Sequence, residues 1–89
     1  LLETVTRVEP DHLGAWRLLA QAYGRAGRTA EADLALAEIA WRRQDRERFD
    51  FHHARAGQAL KSAPPSSRAA LHWQDLNQAR EEWEDEPAR

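Results

Sequence analysis

Apolar residues along this chain recur at intervals of three and four, the period of amphipathic helices. Trp16, Leu19, Ala20 and Tyr23 fall at i, i+3, i+4 and i+7, one face of a helix expected over residues 12–25. Gly27 then stands where a helix ends on a left-handed residue. Thr29 is placed to cap a second helix over 29–43, in which Ala32, Ala35, Leu36 and Ile39 make a narrow face of small residues. Small-residue faces let two helices approach closely, and the aromatic rings fill the space between them. The pattern predicts an antiparallel hairpin bent at Gly27.

Before this hairpin, Leu1, Leu2, Val5 and Val8 read as the tail of a helix that begins outside the sequence. Glu9-Pro10-Asp11 breaks it, and Asp11 is the expected N-cap of the helix containing Trp16. After the hairpin, Gln44 occupies the place of a turn glycine, and the expectation is a less regular turn rather than one continuous helix. Asp45 can cap a third helix over 45–61, with Phe49, His52 or His53, Ala56, Ala59 and Leu60 along one side. Pro64-Pro65 makes Lys61–Ser67 a loop, because neither proline fits inside a helix. Ser66 or Ser67 caps a last helix over 67–84 that carries Ala69, Trp73, Leu76, Arg80 and Trp83 on one side. Residues 85–89 are expected to fray.

In order, Trp16, Leu19, Ala20, Tyr23, Gly27, Ala32 and Leu36 resemble the tetratricopeptide repeat. Pro10 falls where a preceding repeat would place its closing proline. The resemblance implies an all-α fold of antiparallel helical hairpins of the α-solenoid type, with about two repeats and a C-terminal capping helix. The succession of this hairpin, a degenerate repeat, a Pro-Ser loop and Ala70-Leu71-His72-Trp73 also resembles the C-terminal region of bacterial periplasmic HExxH zinc metalloproteases. Departures are Gln44 at the turn, extra residues around Gly57-Gln58, and Trp73 where that family more often has a small residue.

Composition narrows the function classes. Eighty-nine residues with 42% hydrophobic and 31% charged side chains suit one small helical domain with little core to spare. A net charge of −2 gives no reason to expect nucleic acid as a partner. No apolar run is long enough for a membrane span. The chain has no Met and no Cys, so it reads as part of a longer protein and offers no thiol chemistry.

The candidate chemistry is sparse. His12, His52, His53 and His72 have no histidine partner at i+4, and adjacent His52 and His53 point about 100° apart on a helix. No metal, cofactor or catalytic residue is assigned, and the chain is expected to have no enzymatic activity. The tetratricopeptide resemblance implies that the first helix lines a groove, with Gly14, Arg17, Gln21 and Gly24 on the lining. Arg17 can pair a partner's carboxylate, Gln21 can bond an extended backbone, and the glycines leave room for a chain. Ordinary solvent contact is the competing reading of these residues. Among the four tryptophans, Trp16 is expected in the core, Trp73 as a filler of gaps between alanines, and Trp83 as an exposed contact amid Glu81, Glu82, Glu84 and Asp85. Arg42, Arg43, Arg46 and Arg48 can meet that acidic end.

Two functions from different classes follow. The first is a non-catalytic docking or regulatory module of a larger periplasmic zinc protease, binding a protein or peptide or the missing domain of the same polypeptide. The second is part of an unrelated tetratricopeptide adaptor or assembly factor, cytoplasmic rather than periplasmic. Self-association is a third possibility.

Overall fold

The computed structural model describes residues 12–84, which form four helices and, among the described residues, no strand. Helix α1 spans Leu13–Arg25, α2 Thr29–Arg42, α3 Arg46–Ala59 and α4 Arg68–Glu84. The expectations for Leu1–Val8, Pro10 and residues 85–89 lie outside the described residues, and the cap of α1 falls on His12 rather than on Asp11. Local chemistry sets each boundary. The cap of α1 is His12, whose Nδ1 accepts the Ala15 amide at 3.0 Å. Asp45 caps α3 by accepting the Arg48 amide at 3.1 Å, and Ser67 rather than Ser66 caps α4 through the Ala70 amide at 3.2 Å. Thr29 is not a cap: the cap position of α2 falls on Arg28 and has no side-chain hydrogen bond.

The two hairpin turns share one geometry. After α1, Gly27 has φ +77°, and the amides of Gly27 and Arg28 donate to the carbonyls of Gly24 and Tyr23. After α2, Gln44 takes φ +60°, and the amides of Gln44 and Asp45 donate to Trp41 and Ala40. Both are the reciprocal left-handed closure that commonly ends a helix. The residue at 44 is therefore forced into a conformation that disfavours a Cβ. The turn is regular, not irregular as its missing glycine suggests.

Helix α2 is the axis of the fold. Its backbone packs against α1, α3 and α4, whereas among the described residues α1 packs its backbone on α2 alone. Successive helices run antiparallel. One face of α2, Ala35 and Ile39, closes with Trp16, Leu19 and Ala20 of α1 into a small core fringed by Leu13, Tyr23 and Leu36. The opposite face, Leu34, Ala37 and Ala40, joins Phe49 and Ala56 of α3 and Leu76 of α4 in a second core. Trp41, Leu60, Ala69, Trp73 and Trp83 pack around that second core. A helix buried on both sides needs apolar residues nearly all round, which Leu34-Ala35-Leu36-Ala37 supplies.

Within the second core, Trp73 and Gly57 fit together. A Cβ at Gly57 would lie 3.0–3.1 Å from the Trp73 indole, so the bare glycine is the notch that receives the ring. The indole Nε1 donates to the His53 carbonyl at 2.8 Å, and His53 Nε2 donates to the Trp73 carbonyl at 3.3 Å. The His53 ring is stacked between Trp73 and Phe49, with centroids 4.5 and 5.4 Å away. Gly57 and Trp73, separate departures from the repeat pattern in the sequence, are two halves of one contact.

Candidate functional site

Gly14, Arg17, Gln21 and Gly24 share one face of α1, and all four are exposed on the side turned from α2. Leu18 lies beside them and is 53% exposed. This face is open, yet the concavity of the molecule lies elsewhere. A Cβ at Gly24 would touch nothing within 4 Å, so no close neighbour there demands a glycine. At Gly14 it would lie 3.3 Å from the His12 ring, so this glycine makes room for the capping imidazole.

Trp83 does not stand out in solvent. It is half-buried, with its ring edge-on to Phe49 at 5.7 Å and the Arg46 guanidinium 5.1 Å above it. The acidic end of α4 draws it no further out because Phe49 offers an apolar seat. Of the expected basic cluster, Arg46 reaches this end of α4. Arg42 turns instead to the other side of α2, where it pairs with Glu38 and lies 5.6 Å from the rings of both Trp16 and Trp41.

A cleft opens between the α1–α2 hairpin and the start of α4, with a volume of about 530 Å³. Trp16, Leu19 and Tyr23, at i, i+3 and i+7 of α1, form one wall. Leu34 and Ala35 of α2 form the floor, and Ala69 and His72 of α4 the second wall. The Trp16 and His72 rings approach to 6.0 Å and narrow that end. At the wider end stand Arg28, Glu31, Ser67 and Arg68.

Electrostatics at the two ends differ. Behind the narrow end, His72 Nε2 donates to Glu38 at 2.6 Å, and Arg42 donates to the same carboxylate. Burial alone would raise the Glu38 carboxyl, but the His72 hydrogen bond and the nearby Arg42 charge outweigh it and hold the group below its ordinary value of 4.5. Glu38 therefore holds a charge at neutral pH and is not poised to move a proton. At the wide end, Arg28 donates to Glu31 at 2.6 Å and lies 5.2 Å from the Tyr23 ring. Among the described residues no carboxylate pairs with Arg68.

Two polar groups are buried: Asp33, which the sequence reading did not single out, and His53, one of the two histidines it set along the packed side of the third helix. Asp33 is 5% exposed and receives hydrogen bonding from His52 Nδ1 at 3.1 Å, with Arg55 Nε at 3.4 Å. His53 is buried, which pushes its imidazole below the ordinary 6.5 against the pull of the Trp73 carbonyl. The adjacent histidines thus serve different contacts, one facing α2 and one facing α4. Among the described residues, no group of three or more carboxylates and histidines is placed to hold a metal ion. No helix among them is long and apolar enough to cross a membrane. The i, i+4 spacing of Glu38 and Arg42 was a visible signal for their pair; the joining of Glu38 to His72 is a long-range contact with no local signature.

Comparison with known proteins gives no match: no family model, curated protein or solved structure matches this chain.

Proposed function

We propose that this chain is a non-catalytic helical module that docks a protein, a peptide or another part of its own polypeptide. The observation that supports it best is the position of α1. That helix is fixed to α2 along one side, and it offers both the open face of Arg17, Leu18 and Gln21 and one wall of the cleft. A half-exposed leucine on an open helix face is surface that water solvates poorly and a partner would cover. The buried polar groups are spent on internal contacts, Asp33 with α3 and His53 with α4.

The tetratricopeptide arrangement belongs to the same proposal. It is supported by the Trp16 to Leu36 pattern and by two successive antiparallel helix pairs with matching turns. Against it stands α1, which makes no backbone contact with α3. Attachment to a periplasmic zinc protease is carried by the sequence resemblance alone, and reading the polypeptide upstream of Leu1 for a signal peptide and HExxH decides it.

The docking reading is tested by photo-crosslinking in cells that make the whole polypeptide. A photoreactive residue placed at Arg17 or at Arg68 should give a discrete protein adduct, while one at exposed Gln58 should not. Adducts at neither Arg17 nor Arg68 would sink it.

A further inference from the structure

Helices α2 and α4 both lie antiparallel to α3, so they run the same way and end at the same pole of the molecule. Trp41 and Trp83 stand one residue before the last residue of α2 and of α4. Both rings are half-buried, and both line a second cleft of about 100 Å³ together with Gln44, Ala79 and Glu82. Its chemistry favours a cation. Indole faces carry negative charge, and tryptophan is the best aromatic partner for a positive group. The carbonyls at the two helix ends add partial negative charge, and Glu82 adds a full one from the exposed rim. Arginines already use these rings: Arg46 lies 5.1 Å from Trp83 and Arg42 5.6 Å from Trp41. Neither arginine is among the residues lining the cleft, and the charge of Arg42 is matched by Glu38.

Size and lining select the form of the cation. At about 30 Å³ for each water-sized group, the cleft holds a head of about three or four heavy atoms. A bare divalent metal needs more oxygen or nitrogen ligands than one carboxylate and one carboxamide supply. A methylated ammonium needs no such set: its methyl groups suit indole and alanine surface, and its charge suits Glu82. Gln44 ties the cleft to a ligand by a separate observation. Its φ of +60° disfavours a Cβ, so a glycine there would relieve the chain. A glycine would also strip one side from the cleft. Backbone strain of this kind persists where a side chain serves a contact.

We infer that the cleft at the C-terminal ends of α2 and α4 binds a methylated ammonium group. Trp41 and Trp83 hold it, Glu82 is its counter-ion, and the Gln44 side chain closes one side. This site stands apart from the docking function proposed above and does not depend on it.

The test titrates tetramethylammonium chloride into the isotopically labelled full chain and follows the indole N–H signals by NMR. The signals of Trp41 and Trp83, assigned from Trp41→Phe and Trp83→Phe, should shift and saturate, while those of Trp16 and Trp73 stay in place. Each phenylalanine variant should weaken binding about two- to fivefold. Glu82→Gln, at an exposed position where refolding is not at issue, should weaken it about as much. Arg46→Gln removes a like charge beside Trp83 and should tighten it. Gln44→Gly should raise the melting temperature and still weaken binding, a split that a structural role alone would not give. The neutral isostere, with carbon in place of the ammonium nitrogen, should bind more weakly. Equal binding of that isostere, absence of a saturable shift, the same shift with sodium chloride, or full binding in Glu82→Gln and Gln44→Gly overturns the inference. Free choline and a peptide bearing trimethyllysine then distinguish the source of the group, and the tighter of the two names it.

Discussion

The two cores on either side of α2 close in different ways. On one side, among the described residues, α1 meets α2 as a two-helix seam, with Tyr23 at its fringe partly exposed. On the other, α3 and α4 both close on α2, and Phe49 at their centre has no exposed surface. A seam between two helices leaves each a flank in water, whereas three helices enclose a ring from all sides. Stability therefore concentrates in the α2–α3–α4 core, and surface available for recognition concentrates beside α1.

The largest expected effect is at the enclosed centre. Phe49→Ala should cost about 3–5 kcal/mol, read by chemical denaturation, since no neighbour can collapse freely into the space. Tyr23→Ala, on the open seam, should cost about 1–2 kcal/mol, because a half-covered ring gives up less burial. Equal losses would mean that the two cores are not unequal in the way described. Gly57→Ala should cost about 1 kcal/mol: the gain in helix propensity is smaller than the strain of pushing on Trp73. The ring is pinned by its hydrogen bond and its stack on His53, so it cannot yield. With Trp73→Leu in the background, the same substitution should turn neutral or stabilising.

The turns sharpen the contrast further. Gln44→Gly should stabilise the protein by about 0.5–1 kcal/mol, the relief of a Cβ at positive φ less the added freedom of the unfolded chain. Gly27→Gln should do the reverse. A shift of the melting temperature in the opposite direction at Gln44 would refute the turn geometry.

Acid should loosen the molecule in two stages. His53 has its folded value pushed below 6.5, so the unfolded chain binds the proton more tightly, and stability falls as pH drops below 6.5 toward that lowered value. Glu38 is held below 4.5, so its contribution is present above 4.5 and is lost as pH falls further. Denaturation midpoints measured across pH should show the upper stage disappear in His53→Phe and the lower stage remain. Persistence of the upper stage in that variant would assign it to another group.

Much of this was legible beforehand. The period of Trp16, Leu19, Ala20 and Tyr23 marked the face of α1 that meets α2, and Pro64-Pro65 marked the break before α4. These are local signals, set by three to seven neighbouring residues. The candidate site was less legible. Gly14, Arg17, Gln21 and Gly24 do share an exposed face, but the cleft borders the adjacent face of that helix, because its second wall comes from α4, some fifty residues away. Trp83 looked exposed among its acidic neighbours until Phe49, from another helix, gave it a seat.

Sequence by itself determined where the helices form and stop, since capping, left-handed turns and helical periodicity are decided within a turn or two of chain. Tertiary structure decided that α2 is the axis, that Gly57 answers Trp73, that Glu38 answers His72, and which side of α1 is hollow. Those pairings join residues distant in the chain, and their side chains meet only when the helices have packed.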